Sequence, residues 1–333
     1  MTGSGRRALV TGATGYIGAR LVPRLLEDGW TVRVLTRSAD KVEPRGWGSR
    51  VEVVEGDATH RSALEEALAD VDVAYYLLHS MDGGGSFAER DAQLAQRFGV
   101  AAQVQDVSRI VYLSGLHPDG EELSEHLASR VEVGDLLMAS GVPTAVLQAA
   151  VVVGSGSASF EMLRHLTHRL PAMVAPKWLE NRIQPIAVRD VLHYLVAAAD
   201  LPPEVNRTFD VGGPEVLTYR QMIMRYAELA GLRARYIQTV PVLTPRLASH
   251  WIGFVTPVPT GVAKPLVGSL VHEVVRKETD LDDLVGEPPG GALGFDDAVR
   301  AALVGQGADS ASLPEPGETD PARLTAADPD WAG

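Results

Sequence analysis

The stretch that decides the fold is TGATGYIG, residues 11–18. It follows a short aliphatic run and precedes an apolar stripe at helical spacing, so it lies between a predicted strand and a predicted helix. In that context Gly12 permits a tight turn, Gly15 lets the backbone approach a pyrophosphate, and Gly18 lets the helix pack against the strand. The free N–H groups of the first helical turn attract phosphates. The sequence therefore predicts a nucleotide-binding loop with the contact residues Gly12, Thr14, Gly15, Tyr16, Ile17 and Gly18.

Outward from this loop, short β-branched runs alternate with longer helical patterns. This alternation predicts an α/β fold of the Rossmann type, a doubly wound parallel sheet with helices on both faces. Pro23 falls inside the first predicted helix and is expected to kink it. Ser62 and Glu65 have the spacing of a capping box. The predicted strands cover residues 8–10, 31–36, 51–56, 72–78, 109–114 and 144–148.

The regular alternation ends near residue 150, which divides the chain. We expect residues 1–150 to form the nucleotide-binding domain, with 183–215 returning to it and with a helix capped at Thr218. Residues 151–304 are expected to form mostly a smaller, substrate-side subdomain. Residues 305–333 are rich in Gly, Pro, Ala and Asp without apolar periodicity and predict a flexible tail.

Composition excludes several classes of function. The chain has 333 residues and a formal net charge of -13, which argues against a nucleic-acid partner. It has no cysteine, so disulfides and thiolate chemistry are excluded, and a reducing cytoplasm is the expected location. Its apolar runs are shorter than the roughly 20 residues that span a bilayer, and its histidines show no metal-ligand spacing. We therefore expect no transmembrane segment and no metal.

One apolar segment, residues 241–270, is interrupted by five prolines. Such a segment is typical of a packed lid or helix pair. The alternative is a surface that contacts a membrane or a partner protein.

The residue after the second predicted strand is Arg37, which distinguishes between two dinucleotides. A guanidinium can bind a 2′-phosphate, whereas an acidic residue there would accept hydrogen bonds from a free ribose. NADP(H) is therefore expected in preference to NAD(H), unless Arg37 is only a solvated charge. Ser38 adds a hydroxyl, and Asp57 either accepts from the adenine amino group or forms a turn. The remaining predicted cofactor contacts are Ala58, Leu78, His79 and Ser80.

Motifs spread over residues 7 to about 303 resemble those of the atypical short-chain dehydrogenase/reductase superfamily. The nearest branches are YbjT-like, with NmrA-like, epimerase-like and complex I accessory-subunit-like relatives. The resemblance rests on TGATGYIG (11–18), YYLLHSM (75–81), YLSGL (112–116), SEHLASR (124–130), VVGSGSASFE (152–161), QPIAVRDVLHYL (184–195), VGGPEVLTY (211–219) and FDDAVR (295–300).

The resemblance implies a catalytic constellation that this chain only partly carries. Catalytic members use a Ser at the end of the fifth strand, and a Tyr four residues before a Lys. Ser114 matches the Ser, but His126 and Arg130 stand at the Tyr and Lys positions. Arg130 can reproduce the ribose contact of the Lys, and a neighbouring guanidinium would keep His126 uncharged near neutral pH.

Three functions remain open at this stage. The first is an NADPH-dependent reductase of a carbonyl, enone or quinone-like small molecule, in which Ser114 and His126 polarise the substrate oxygen and Arg130 takes the place of the catalytic Lys. The second is a non-catalytic NADP-binding regulator or assembly factor, with His126 and Arg130 as ordinary helix-surface residues. The third is an epimerase-like enzyme, against which the absent Tyr and Lys argue. The candidate substrate-pocket residues, for which packing or surface exposure is the alternative, are Gln148, Phe160, Lys177 and Trp178.

Overall fold

A seven-stranded parallel sheet organises the first half of the chain. The computed structural model describes residues 5–78, 87–240, 256–304, 306 and 312–332. The strand order is β11-β6-β5-β4-β1-β2-β3, so the chain crosses from one half of the sheet to the other between β3 and β4. The strands of this sheet are β1 (Arg7–Thr11), β2 (Thr31–Thr36), β3 (Glu52–Glu55), β4 (Val73–Tyr76), β5 (Arg109–Gly115), β6 (Thr144–Ala149) and β11 (Arg207–Val211).

Helices cover both faces of the sheet, which confirms the predicted doubly wound fold. Strand residues alternate between two apolar cores because successive side chains point to opposite faces. One face packs against α1 (Tyr16–Glu27) and α6 (Val188–Ala197). The other packs against α2 (Arg61–Leu68), α3 (Phe87–Val104) and α4 (Glu125–Met138).

Of two local expectations, the capping box is wrong, and the kink at Pro23 stays a prediction. Pro23 is buried within α1, and the helix continues past it to Glu27. The capping box expected at Ser62 and Glu65 is wrong, because α2 begins one residue before Ser62 and Glu65 accepts a hydrogen bond from Arg61 Nε at 2.6 Å. Glu65 therefore pairs with Arg61, one turn earlier in the same helix, and not with the backbone at the start of α2.

The rest of the chain forms a second apolar core beside the carboxyl edge of the sheet. Short strands pair β7 with β10, β9 with β12 and β8 with β13. Thr218 caps α7 through a complete capping box with Gln221, as the sequence predicts. The elements are β7 (Val152–Val153), α5 (Ala158–Arg169), β8 (Ala172–Pro176), β9 (Arg182–Ile183), β10 (Ile186–Ala187), β12 (Leu217–Thr218), α7 (Tyr219–Leu229), β13 (Tyr236–Val240), α8 (Thr260–Ser269), α9 (Asp280–Val285) and α10 (Phe295–Leu303).

The C-terminal segment differs from the flexible tail that its composition predicts. Residues 312–332 lie against the folded domain, and Ala322, Leu324 and Ala332 are each at most 4% exposed. Asp328 is buried in an ion pair with Arg20 of α1. A few apolar residues and one paired carboxylate hold this segment in place, although it has no periodic pattern.

The proline-rich apolar segment is only partly described. Residues 241–255 lie outside the described residues, whereas α8 packs in a small apolar cluster with α5. Among the helices that the structure describes, none combines the length and the apolar character needed to cross a membrane.

Candidate functional site

The glycine loop between β1 and α1 has the tight geometry that its sequence predicts. Gly12 has φ +68°, and a Cβ there would lie 2.6 Å from the carbonyl oxygen of Leu77. A Cβ on Gly18 would lie 2.3 Å from the carbonyl oxygen of Gly12, so the helix packs directly on the loop. The N-cap of α1 is Gly15, which has no side chain to bind the first-turn N–H groups. Those donors are therefore available to an anion.

A cavity of about 500 Å³ opens between this loop, the ends of β2 and β3, and one face of α3. We call it the glycine-loop cavity. Its wall carries four basic side chains and one acidic side chain. The lining residues are Gly12, Ala13, Thr14, Leu35, Thr36, Arg37, Lys41, Gly56, Asp57, Ala58, Thr59, Leu78, Arg90, Gln93, Leu94 and Arg97.

Six of the thirteen predicted cofactor residues meet at this cavity. They are Gly12, Thr14, Arg37, Asp57, Ala58 and Leu78. The remaining loop residues, Gly15 to Gly18, form the start of α1 beside it. Ser38 is not in the wall; its backbone N–H and carbonyl oxygen both bind Thr36 Oγ1. His79 and Ser80 lie outside the described residues.

Asp57 both forms a turn and faces the cavity. Its Oδ1 accepts hydrogen bonds from the backbone N–H of Thr59 at 2.8 Å and from the Thr59 hydroxyl at 2.7 Å. These two bonds hold the pKa of Asp57 below its ordinary value, so the carboxylate is ionised near neutral pH. Arg97 fixes the same turn from α3, where Nη1 donates to the carbonyl oxygen of Thr59 at 2.9 Å. Both bonds that Asp57 accepts engage Oδ1, which leaves Oδ2 as an acceptor for a ligand.

The basic residues that complete this wall were not predicted from the sequence. Lys41 follows β2 by five residues, and Arg90 and Arg97 lie on α3 with Gln93 and Leu94. The positions 90, 93, 94 and 97 have the i, i+3, i+4, i+7 spacing of one helix face. That spacing was visible in the sequence, but only the packing of α3 beside β4 shows that the face meets the glycine loop.

A second cavity, of about 340 Å³, lies beside α4. We call it the α4 cavity. It brings together two of the predicted site residues, Arg130 and Gln148, and adds His117, to which the sequence assigned no role. Ser114 lies next to Gln148 in the register of β5 and β6, and its hydroxyl donates to the carbonyl oxygen of Arg130 at 3.4 Å.

Arg130 has a neutral partner. Its Nη1 donates to the hydroxyl oxygen of Tyr112 at 3.3 Å, and within the described ranges it forms no ion pair. Elsewhere in the lining, Gln148 Nε2 lies 3.2 Å from His117 Nε2. His117 Nδ1 lies 3.0 Å from the carbonyl oxygen of Pro118, so Nδ1 carries the proton and Nε2 accepts from Gln148. The lining thus combines donors with acceptors, because the carboxylates of Asp119, Asp135, Asp210 and Glu278 also belong to it.

His126 lies on α4 one turn before Arg130. Burial, and then the charge of Arg130, lower the pKa of His126 to about 4. The ring is therefore neutral near pH 7, as the sequence predicts. It is in the wall of neither cavity.

Three predicted pocket residues lie elsewhere. Phe160 is fully buried in the second core, with its ring edge-on to Tyr226 at 5.9 Å, so its assignment to a pocket is corrected to core packing. Trp178 packs against the same core, and Lys177 is exposed. Phe160 belongs to the buried apolar face of α5, and that helical spacing was the available sequence signal for a core residue.

Within the described part of the chain, no cluster of three His, Asp or Glu side chains is close enough to hold a metal ion.

Comparison with known proteins identifies the domain that carries the glycine-loop cavity. Residues 12–163 match the family model described as NAD(P)H-binding. This part of the chain, somewhat less than half of it, is therefore similar to an NAD(P)H-binding domain. The match runs from the glycine loop through β6 into α5 and includes Arg37, Asp57 and Ser114, and the resemblance inferred from the sequence is confirmed.

Two curated relatives and one solved structure extend this result. The chain is 28% identical to (4-alkanoyl-5-oxo-2,5-dihydrofuran-3-yl)methyl phosphate reductase of Streptomyces griseus, over 68% of this chain and 75% of the relative. It is 26% identical to the NADH-ubiquinone oxidoreductase 40 kDa subunit of Neurospora crassa, over 64% of this chain and 57% of that subunit. The structure of Citrobacter sp. triphenylmethane reductase complexed with NADP(H) matches 89% of this chain and 100% of its own, with TM-score 0.65 and 19% identity. Two of these three proteins are named as reductases, and the structural neighbour confirms the fold.

Proposed function

We propose that the protein is an NADP(H)-dependent oxidoreductase that reduces a carbonyl, enone or quinone-like small molecule. The observation that carries the cofactor preference is the wall of the glycine-loop cavity, where four basic side chains surround one carboxylate. NADP(H) differs from NAD(H) by a 2′-phosphate, which an excess of cations attracts.

The cations nearest the end of β2 support this preference. Arg37 and Lys41 line the cavity, and within the described residues neither forms an ion pair. Their charge is therefore available to a phosphate rather than neutralised by the protein. An acidic residue at position 37 would instead accept from the ribose hydroxyls of NAD(H).

The α4 cavity is the proposed substrate site. Arg130 and Gln148 present hydrogen-bond donors, and a donor placed at a carbonyl oxygen stabilises the negative charge that develops there during reduction. The cofactor supplies the hydride, and a proton from solvent completes the product. In this proposal His126, as a neutral imidazole, relays that proton along α4.

One alternative function has its own support. The usual Tyr and Lys are replaced by His126 and Arg130, and the similarity to a respiratory-chain subunit suits a non-catalytic NADP-binding regulator or assembly factor. The two functions differ in whether bound cofactor is consumed. The same replacement argues against a third, epimerase-like function.

A calorimetric titration with NADP⁺, NADPH, NAD⁺ and NADH tests the cofactor assignment. Micromolar binding of both NADP⁺ and NADPH, with much weaker NAD(H), is the expected result for an enzyme that turns over. Strong preference for one redox state supports the regulator. Absence of binding by all four nucleotides refutes the proposal.

A following screen of quinones and enones tests catalysis by the oxidation of NADPH. His126→Ala is expected to abolish turnover while the Kd for NADPH changes less than about twofold, because His126 is outside the wall of the glycine-loop cavity. Unchanged turnover in this variant would remove His126 from the mechanism.

A further inference from the structure

Arg20, on the first helix after the glycine loop, is a buried cation with a complete set of partners. Its side chain is 1% exposed and pairs with Asp328, with distances of 2.8 Å to Oδ1 and 2.6 Å to Oδ2. The remaining donors bind four carbonyl oxygens, those of Tyr16, Ser155, Pro321 and Arg323. A buried guanidinium loses its hydrogen bonds to water, so each of its N–H donors needs an acceptor in the protein.

The C-terminal segment, residues 312–332, provides four of these six acceptor oxygens and crosses between the two cores. We call it the strap. At one end, Glu315 accepts from the backbone N–H of Gly46 at 3.4 Å, beside the sheet. At the other end, the carbonyl oxygens of Trp331 and Ala332 bind His165 and Arg164 of α5. The strap therefore links α1 to α5, which belongs to the second core.

Arg20 connects the strap to the first residue of the phosphate-facing helix. That residue is Tyr16, whose ring centroid lies 4.2 Å from the guanidinium carbon of Arg20. Arg20 Nη1 also donates to the Tyr16 carbonyl oxygen at 3.3 Å. The Tyr16 hydroxyl is buried against Gly154, where a Cβ would lie 2.4 Å from it. Tyr16 is thus fixed on two sides.

We infer that the strap is a positioning element for the dinucleotide, in which Arg20 and Asp328 hold the first turn of α1 in its phosphate-binding orientation. No described atom of the strap lines the glycine-loop cavity, so its effect is transmitted through Tyr16. The inference rests on dinucleotide binding by this domain and not on hydride transfer. The positioned group is the pyrophosphate, which NADPH and NADH share, so both nucleotides depend equally on the strap.

The test replaces the ion pair by a neutral pair. The double variant Arg20→Met, Asp328→Asn removes both charges together, so the net charge near the phosphates is unchanged and no buried charge is left alone. The amide introduced by Asp328→Asn keeps an acceptor oxygen for the Thr325 N–H, which Asp328 binds at 2.8 Å. Leu324→Ala is the control, because it weakens the packing of the same strap without touching the network.

Two measurements separate positioning from stability. The first is the Kd of NADPH and of NADH by calorimetry, at a temperature where all variants are folded. The double variant is expected to raise both values roughly tenfold, the loss typical of one charge-assisted hydrogen bond. Leu324→Ala is expected to lower the unfolding temperature with both Kd values within about twofold of the parent.

The second measurement is hydrogen exchange of the amides of residues 15–19 without ligand, which the double variant should accelerate more than Leu324→Ala does. Equal Kd values for the double variant and the parent, or equal losses in the double variant and the control, overturn the inference. If the parent binds no dinucleotide, the proposed function fails. The exchange comparison then decides alone, and equal exchange in the two variants overturns the strap's role.

Discussion

At the scale of single residues, we propose that the choice of dinucleotide depends on Arg37. It is exposed at the end of β2 and lines the glycine-loop cavity. We expect Arg37→Ala to weaken NADPH binding by about 1.5–3 kcal/mol, because a charge-assisted contact to the 2′-phosphate is lost. NADH, which has no such phosphate, is expected to bind within about twofold of the parent, as measured by calorimetry.

The control for this prediction is Arg50→Ala, which removes the same charge from an exposed position outside the cavity wall. It should change the affinity for neither nucleotide. Equal losses of NADPH and NADH in Arg37→Ala would contradict the assignment of Arg37 to the 2′-phosphate.

His126 gives a prediction about pH. Its pKa in the folded protein is lowered to about 4, mainly by burial. Below the unfolded value of about 6.5, the unfolded chain binds a proton that the folded chain does not. The stability associated with this group is therefore present above about pH 6.5 and is lost as the pH falls toward 4.

The test compares urea unfolding of the parent and of His126→Gln at about pH 7 and pH 5. The variant is expected to lose less stability over this interval than the parent does. His60→Gln, at an exposed histidine, is the control and should leave the pH dependence unchanged. A variant as sensitive to acid as the parent would show that the His126 ring accepts a proton while it is in the folded protein.

At the scale of secondary-structure elements, the contact of α1 with its own loop requires glycine. A Cβ on Gly18 would meet the backbone of Gly12 at 2.3 Å, and backbone atoms cannot rotate away as a side chain can. Gly18→Ala is expected to lower the free energy of unfolding by about 1–3 kcal/mol and to weaken NADPH and NADH together. Urea unfolding and calorimetry measure the two effects.

Gly268→Ala in α8 is the matched control, because its Cβ would meet its nearest neighbour at an ordinary 3.7 Å. There the helix propensity of alanine is expected to leave stability equal or higher. A Gly18→Ala variant with the parent's stability and affinities would show that the close contact relaxes without consequence.

At the scale of the whole molecule, the buried Arg20–Asp328 pair joins residues that are 308 positions apart. Arg20→Met alone leaves the Asp328 carboxylate buried without its cation. We expect the free energy of unfolding to fall by about 3–5 kcal/mol, as measured by urea denaturation. Arg24→Met, one turn later on α1, removes an exposed ion pair with Glu27 and is expected to cost at most about 1 kcal/mol. Similar losses in the two variants would mean that the buried pair contributes no more than a surface pair.

The sequence by itself determined the parallel sheet and the tight geometry of the glycine loop. These features are local: strands show as β-branched runs, the loop as a glycine pattern between a strand and a helix, and the cap of α7 as Thr218 followed by Gln221. Each of these patterns lies within a few residues, so it can be recognised before the tertiary structure is known.

Only the tertiary structure decided which distant residues share a site. Arg97 reaches the Asp57 turn because α3 packs beside β4, and Gln148 shares a cavity with Arg130 because β5 and β6 are neighbours. Phe160 belongs to the core because α5 turns that face inward. The strap is held in place by contacts with Arg20. Its partner Asp328 lies 308 positions later in the sequence. Buried ion pairs of this kind leave no periodic trace in the chain, because the partners meet only in the folded protein, where their attraction and hydrogen bonds offset the cost of leaving water.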